Sequence, residues 1–303
     1  MSELKPAKCI WMDGALVPWE EAQVHVLTQS LHYGWAVYEG IRAHSTGAGP
    51  AVFRLPDHLA RLRDSARVYL MDLPYDADEL AHAVVELIRA NGTGPRYVRP
   101  LVYLDHGSMG IALDLSRVRV AIAAWEWEAA PPPSGWRLMT SGWRRNRHDA
   151  IPPFAKATGA YLNSSLCKLA AVRAGYDDGL QLTGAGCIAE CSAANFFLVK
   201  NGVLHTPAVS EGILPGITRD TVLRLARHAG IETAERPIAH TEAYTADEAF
   251  VTGTSIGVVP IASVDDRPTT AGIHGPVTEL LRSGYQDAVT GQQGGGEGWL
   301  TPV

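Results

Sequence analysis

The sequence predicts an α+β fold in two domains. Segments with strand periodicity do not alternate regularly with helical ones, as a doubly wound parallel sheet requires. The 303-residue chain is 46% hydrophobic, long enough for two cores. A proline-rich linker over residues 126–135, ending in Ala129-Ala130-Pro131-Pro132-Pro133-Ser134-Gly135, divides it. The resulting boundaries are an N-terminal domain over 1–126, an interdomain loop over 127–136 and a C-terminal domain over 137–303.

The first domain opens with a hairpin over residues 9–18, in which Ile10-Trp11 and Leu16-Val17 flank Asp13-Gly14, a dipeptide suited to a type I′ turn. A helix is expected from Asp57 as N-cap, with Leu59, Leu62, Ala66 and Tyr69 inward. A second runs from about Asp78 to Ala90 and closes at Asn91-Gly92. Tyr97 to Leu104 and Ser116 to Trp125 read as strands. Beyond the linker, a helix over about residues 160–174 ends at Gly175, and short strands run through 183, 190, 199 and 206 with a turn at Asn201-Gly202. Leu214 to Asp220 opens a helix that ends before Gly230. Glu248 to Thr252 is a strand, a last helix covers about 276–289, and the glycine-rich stretch 291–298 reads as a flexible tail.

Composition excludes several function classes. No uninterrupted apolar run approaches the roughly 20 residues that span a bilayer, and MSELKPAKCI lacks the layout of a signal peptide. A cytoplasmic chain with no membrane partner is expected. The net charge of −6 argues against nucleic acid as a partner. The one basic run, Arg144, Arg145, Arg147 and His148, reads as a solvated loop or a loop beside an anionic pocket. Cys9, Cys167, Cys187 and Cys191 form no CxxC pair, and no His or Cys stands near Cys187 and Cys191 to complete a metal centre.

Of the 26 basic residues only five are Lys, at 5, 8, 156, 168 and 200. Lys156 stands in Ile151-Pro152-Pro153-Phe154-Ala155-Lys156-Ala157-Thr158-Gly159-Ala160-Tyr161-Leu162, with no acid within six positions. An amine in apolar surroundings gives up its proton more readily, and the neutral amine attacks carbonyls as Arg cannot. Lys156 is therefore a candidate Schiff-base lysine, for a carbonyl substrate or for pyridoxal phosphate; a surface lysine before a helix start is the plainer alternative.

Two further stretches fit the sharper reading. Gly216 and Thr218 at a helix start offer N–H groups, a hydroxyl and the positive end of the helix dipole to a phosphate, where a plain cap is the simpler account. Glu190, in Ile188-Ala189-Glu190-Cys191-Ser192-Ala193-Ala194-Asn195-Phe196-Phe197, is a lone acid: a hydrogen-bonded structural group, or the partner of a pyridinium N–H.

A competing pattern, Gly253-Thr254-Ser255-Ile256-Gly257 followed by Asp265 or Asp266 and His274, has the G-x-S-x-G order of a serine hydrolase. That elbow needs a strand, a sharp turn and a helix, whereas Val258-Val259-Pro260-Ile261-Ala262 is strand-like, and His274 comes only nine residues after Asp265. The hydrolase ranks low.

A set of motifs runs in order over nearly the whole chain: Leu31-His32-Tyr33-Gly34, Tyr38-Glu39-Gly40-Ile41-Arg42, His58 to Leu62 with Asp64-Ser65-Ala66, Tyr97-Val98-Arg99-Pro100 and Met109-Gly110. Lys156-Ala157 with Gly159 and Tyr161, Glu190 with Asn195 and Phe197, Leu214 to Asp220, and Gly253-Thr254 complete it. With these, the sequence resembles the branched-chain amino acid aminotransferases of the fold-type IV (class IV) pyridoxal-phosphate enzymes.

The resemblance implies a small N-terminal α/β domain and a larger pseudo-barrel domain, assembled as a homodimer or larger. It implies that Lys156 forms the Schiff base and shuttles a proton, that Glu190 pairs with the pyridine nitrogen, and that Tyr161 bonds the phenolic oxygen. Arg61, Ile217, Thr218 and Thr254 would hold the phosphate, with Leu214 against the ring. Tyr97 and the backbone at Thr254 and Ser255 would take the α-carboxylate, and Arg99 with Tyr33 the distal carboxylate of glutamate. Tyr38, Gly40, Met109, Ile111 and Trp127 would line the side-chain pocket. One pocket then takes an apolar side chain in one half-reaction and a carboxylate in the other, so Arg99 should sit at the rim, solvated when unpaired.

The chain departs from the family pattern at Ala130, where a tyrosine is usual, in a shortened proline-rich loop, and at Trp35, where a small residue is common. Both bear on the amino-donor range. The expected activity is a ping-pong transamination from an L-branched-chain or other hydrophobic amino acid to a 2-oxo acid, 2-oxoglutarate first. Aromatic L-amino acids, D-amino acids and (R)-amines are the alternatives on the same fold, and the Tyr97-x-Arg99-Pro100 strand favours the L-branched-chain group. The non-enzymatic alternative, a cofactor-free binding protein, would require no such combination of Lys156, Glu190 and two phosphate cradles.

Overall fold

Asp13 and Gly14 take positive φ angles of 47° and 98°, and the turn they make pairs β1 (Cys9–Met12) with β2 (Ala15–Pro18). In the computed structural model, which describes residues 4–127, 132–292 and 298–303, this hairpin is one edge of an eight-stranded sheet. After α1 (Gln29–Tyr33) come β3 (Ala36–Tyr38), β4 (Ile41–Thr46) and β5 (Gly49–Phe53). Two helices, α2 (Leu55–Val68) and α3 (Ala77–Asn91), lead to β6 (Arg96–Leu104) and β7 (Val118–Glu126). The order is a C-terminal strand Leu300–Pro302, then β5, β4, β6, β7, β1 and β2, with β3 also on β6. All these pairings are antiparallel.

Helical periodicity explains the core of this unit. Leu59, Leu62 and Ala66 of α2 and Leu80, Val84, Leu87 and Ile88 of α3 are buried with Val98, Val102, Val120 and Ile122 of the sheet. Asp76 caps α3 by accepting from Asp78 and Glu79 N–H, and Glu79 returns the bond to Asp76 N–H. The expected cap of α2 is displaced. Arg54, at φ 52°, is its N-cap, Pro56 occupies the first turn, and Asp57 lies inside the helix taking Arg54 Nε and Nη2 at 2.8 Å each.

The unit comprises Met1–Glu128, Ala155–Gly159 and Ala288–Val303, whereas the sequence reading assigned both later segments to the second domain. Ala157 makes a β-bridge with Val37, and the C-terminal strand pairs with β5 through Leu300, Thr301 and Pro302. That strand lies beyond the stretch 291–298 expected to be a flexible tail, of which residues 293–297 lie outside the described residues.

The second unit comprises Ala129–Phe154 and Ala160–Asp287. Its strands are β8 (Trp136–Thr140), β9 (Asp178–Leu182), β10 (Ile188–Cys191), β11 (Asn195–Lys200), β12 (Val203–Thr206), β13 (Thr233–Glu235), β14 (Glu248–Gly253), β15 (Gly257–Val264) and β16 (Arg267–Pro268). The order is β10, β9, β8, β15, β14, β11, β12, β13, and β10 also pairs with β11. That extra pairing closes six strands into a ring, the expected pseudo-barrel, filled by Leu138, Leu180, Ile188, Phe196, Val251 and Val259. The helices are α4 (Tyr161–Arg173), α5 (Ile217–His228) and α6 (Pro276–Thr290), whose last three residues are counted with the first unit. Gly175 and Gly230, at φ 86° and 73°, follow α4 and α5 as glycines that end helices.

Candidate active site

In the first unit the Lys156 main chain is held from both sides. Its N–H donates to Ser65 Oγ at 3.0 Å, and its carbonyl accepts the Tyr38 N–H at 3.0 Å. Its Nζ lies 5.0 Å from the centroid of the Tyr38 ring. Gly34 and Gly159 make the neighbouring contact: a Cβ on Gly34 would stand 3.0 Å from Gly159 Cα, and Gly34 is at φ 66° as the C-cap of α1. The glycine of the Tyr33-Gly34 motif is thereby accounted for.

Arg61 rises from α2 to a carboxylate that sequence reasoning did not assign. Glu39 accepts Arg61 Nε at 2.7 Å and Nη2 at 2.9 Å, and His58 Nδ1 at 2.7 Å. Burial alone would raise the Glu39 carboxyl; the Arg61 guanidinium and the His58 N–H more than offset it and hold the group well below the usual carboxylate range. Burial pushes the His58 imidazole down. His58, Arg61 and Ser65 fall at i, i+3 and i+7, a spacing that marks a polar stripe on α2.

The expected substrate residues of this unit gather around Arg99. Its guanidinium carbon lies 4.5 Å from the Tyr38 ring centroid, 5.4 Å from that of Tyr97 and 5.7 Å from that of Trp125. Arg99 is half-buried, and its Nε is enclosed without a hydrogen-bond partner. The Tyr97 ring also packs on Trp127, with centroids 5.5 Å apart. A Cβ on Gly40 would stand 1.9 Å from the Tyr97 hydroxyl, so any larger residue there displaces the Tyr97 ring. Tyr33 accepts the Gly110 N–H on its hydroxyl at 2.9 Å and so holds the 109–111 loop. On that loop Met109 and Ile111 are 50% and 91% exposed on the single chain. The Trp35 indole donates to the Tyr69 carbonyl at 3.0 Å and meets the Tyr69 ring edge-on. Trp35 is thus part of the packing around α2. Ala130 lies outside the described residues.

In the second unit Glu190, on β10, is 5% exposed and held at both carboxylate oxygens. Arg145 Nη2 is 2.7 Å from Oε1, while Oε2 takes Asn195 Nδ2 at 2.8 Å and the Leu214 N–H at 3.1 Å. Arg145, in the basic run read as a solvated loop or a loop beside an anionic pocket, is buried, and its Nε also donates to the Gly212 carbonyl at 2.8 Å. Asn195 Nδ2 bonds the Leu214 carbonyl at 2.9 Å, and a Cβ on Gly216 would come within 2.0 Å of Asn195 Oδ1. Glu190 and the turn into α5 are therefore one hydrogen-bonded assembly.

Gly216 caps α5 with no side-chain hydrogen bond, and Ile217 and Thr218 in its first turn are buried. A 12-residue helix with an uncapped N-terminus and a buried threonine suits a phosphate. Tyr161 opens α4, half-buried. Thr254 and Ser255 form the turn between β14 and β15, which pair as a hairpin up to Gly253 and Gly257. Strand, turn and strand follow one another here, so Ser255 stands on no nucleophile elbow.

Residues 36–264 match the profile of the family amino-transferase class IV. The chain belongs to this family. It is similar to the branched-chain-amino-acid aminotransferase of Pseudomonas aeruginosa, 42% identical over 298 residues and covering 97% of each chain. Among solved structures it resembles the branched-chain amino acid aminotransferase of Escherichia coli, with TM-score 0.94, 40% identity, and 97% and 98% of the two chains covered. It also resembles the branched-chain amino acid aminotransferase of Thermobaculum terrenum in its pyridoxal-phosphate holo-form, with TM-score 0.93, 36% identity and 98% of each chain covered.

The class IV aminotransferases use pyridoxal phosphate. The residues present fit that group: the open N-terminus of α5 suits its phosphate, and the acid at 190, held by a guanidinium, suits its ring N–H. Among the described residues no cluster of His, Cys, Asp or Glu suits a metal ion, and no helix is long and apolar enough to cross a membrane.

Proposed function

We propose that this chain is a pyridoxal-phosphate transaminase that takes the amino group from L-branched-chain amino acids and passes it to a 2-oxo acid, 2-oxoglutarate first. The observation that carries the reading is the Arg99 site, a cation among three aromatic rings beside Tyr97 and Gly40. Aromatic faces accept an aliphatic side chain, and the guanidinium they support accepts a carboxylate. One site thus serves both halves of the exchange.

When bound, pyridoxal phosphate supplies the aldehyde that receives the amino group and the ring that draws electrons from it. Lys156 would supply the amine that anchors it and move the proton at the substrate Cα. Glu190 would accept the ring N–H, and Tyr161 would donate to the phenolic oxygen. Arg61, the first-turn N–H groups at Ile217 and Thr218, the Thr218 hydroxyl and Thr254 would hold the phosphate, and Leu214 would pack on the ring. Tyr97, with Thr254 and Ser255, orients the α-carboxylate, and Arg99 with Tyr33 takes the distal one. Tyr38, Gly40 and Trp127 enclose the aliphatic side chain.

Met109 and Ile111 complete that enclosure in a homodimer, a reading supported by their exposure on the single chain and by Leu31 at 63%. Light scattering at micromolar concentration tests it; a monomer would contradict it. A cytoplasmic location accompanies this proposal. The activity is tested with a panel of L-amino acids, D-amino acids and (R)-amines offered with 2-oxoglutarate or pyruvate. Leucine, isoleucine and valine with 2-oxoglutarate should give the highest kcat/KM, and a preference for D-amino acids or (R)-amines would overturn the assignment.

A further inference from the structure

Helix α2 carries two stripes. Leu59, Leu62 and Ala66 enter the core, whereas His58, Arg61 and Ser65 form a polar row beside them. Glu39, in the short connection from β3 to β4, meets this row with its side chain 0% exposed. A carboxylate so buried is costly unless its oxygens are answered. Here they take the Arg61 fork, the His58 N–H and, at 3.3 Å, the Gly40 N–H. Because a carboxylate only accepts, His58 Nδ1 carries the hydrogen.

We propose that Glu39, supported by His58, is a positioning residue for the cofactor phosphate and acts through Arg61. This rests on the reading that Arg61 holds that phosphate. An Arg side chain has several freely turning bonds, and a fork through Nε and Nη2 fixes the plane of its guanidinium and the direction of its Nη1 edge. On the same row Ser65 holds the Lys156 N–H, so one rigid helix sets both the phosphate donor and the segment that carries the amine. Glu39 also offsets the charge of Arg61. Charge alone would make Glu39 weaken phosphate binding; orientation makes it strengthen binding.

That opposition in sign supplies the test. Apoprotein is titrated with pyridoxal phosphate and, separately, with pyridoxal, which lacks the phosphate, and the Kd for pyridoxal divided by the Kd for pyridoxal phosphate is the ratio read. Glu39→Gln keeps the shape and removes the charge. It should weaken pyridoxal phosphate by about tenfold or more, the scale of a charge-assisted hydrogen bond, and pyridoxal by less than about threefold. His58→Leu, which leaves the Arg61 fork in place, should lower the ratio in the same direction by less, and it carries the test if Glu39→Gln does not fold. Tighter binding of pyridoxal phosphate, or equal losses for both ligands as a purely structural role would give, overturns the proposal. Arg61→Met separates it from the reading beneath it. If Arg61→Met leaves the ratio unchanged, the assignment of Arg61 fails and the proposal with it; if Arg61→Met collapses the ratio and Glu39→Gln does not, the proposal alone fails.

Discussion

Arg145 and Glu190 form an ion pair with Nη2 and Oε1 2.7 Å apart and both side chains 6% exposed. So enclosed a pair is weak as a source of stability and strong as a source of geometry, because removing either partner strands the other. Glu190 cannot turn without also leaving Asn195 and the Leu214 N–H, and those two groups define the entry to α5. The acid proposed to face the ring nitrogen and the helix start proposed to hold the phosphate are therefore set by one network.

Arg145→Met should destabilise the protein by about 3–5 kcal/mol, the cost of a buried charge left without its partner. The double variant Arg145→Met with Glu190→Gln should recover part of that loss in a thermal melt while still binding pyridoxal phosphate weakly. Equal stability of the two variants would show that the pair is not coupled.

Gly40→Ala places a methyl group 1.9 Å from the Tyr97 hydroxyl. The Tyr97 ring must move, at an overpacking cost of about 1–3 kcal/mol. Because Tyr97 is read as the α-carboxylate partner, kcat/KM should fall for every amino acid alike while cofactor absorbance is retained. Unchanged kinetics would remove Tyr97 from the substrate site.

Arg99→Leu separates the two halves of the exchange. It should raise KM for glutamate and 2-oxoglutarate by about 10- to 100-fold, the range of a hydrogen bond to a charged group, and leave leucine within about threefold. Comparable losses for leucine would show that Arg99 serves the aromatic packing rather than the distal carboxylate.

Acid should destabilise the first unit through His44 as well as Glu39. Burial, with Arg42 adding to it, pushes the His44 imidazole from 6.5 down to about 3. A group depressed in the folded state favours folding above its unfolded pKa and loses that contribution as pH falls. For His44 the loss runs from about pH 6.5 toward about 3; for the depressed Glu39 carboxyl it sets in below the ordinary value of 4.5. His44→Leu should flatten the fall in Tm between pH 6.5 and 5, where Glu39 contributes little. An unchanged slope would show that His44 does not drive it.

What was legible in the sequence was local. Asp13-Gly14 and Asn201-Gly202 specify turns by their own tolerance of positive φ, and Gly175 and Gly230 end helices for the same reason. The start of α5 was readable because the signals that open it, from Leu214 to Asp220, lie within a few consecutive residues. Glu39, His58 and Arg145 were missed because each acquires its role from a partner on another element, and a lone charge within a motif does not show whether it will be buried. For that reason the basic run left a solvated loop and a loop beside an anionic pocket both open; Arg147 is 73% exposed, whereas Arg145 is buried against Glu190. The C-terminal strand escaped notice because it pairs with β5, near the other end of the chain, and has only three residues to carry a pattern.

The most direct test of the whole account is reduction of the pyridoxal-phosphate-loaded protein with borohydride, followed by proteolysis and mass mapping. The account predicts one phosphopyridoxyl group, on Lys156, and none in Lys156→Ala. A label on Lys168, Lys200 or another residue, or no label at all, would contradict it.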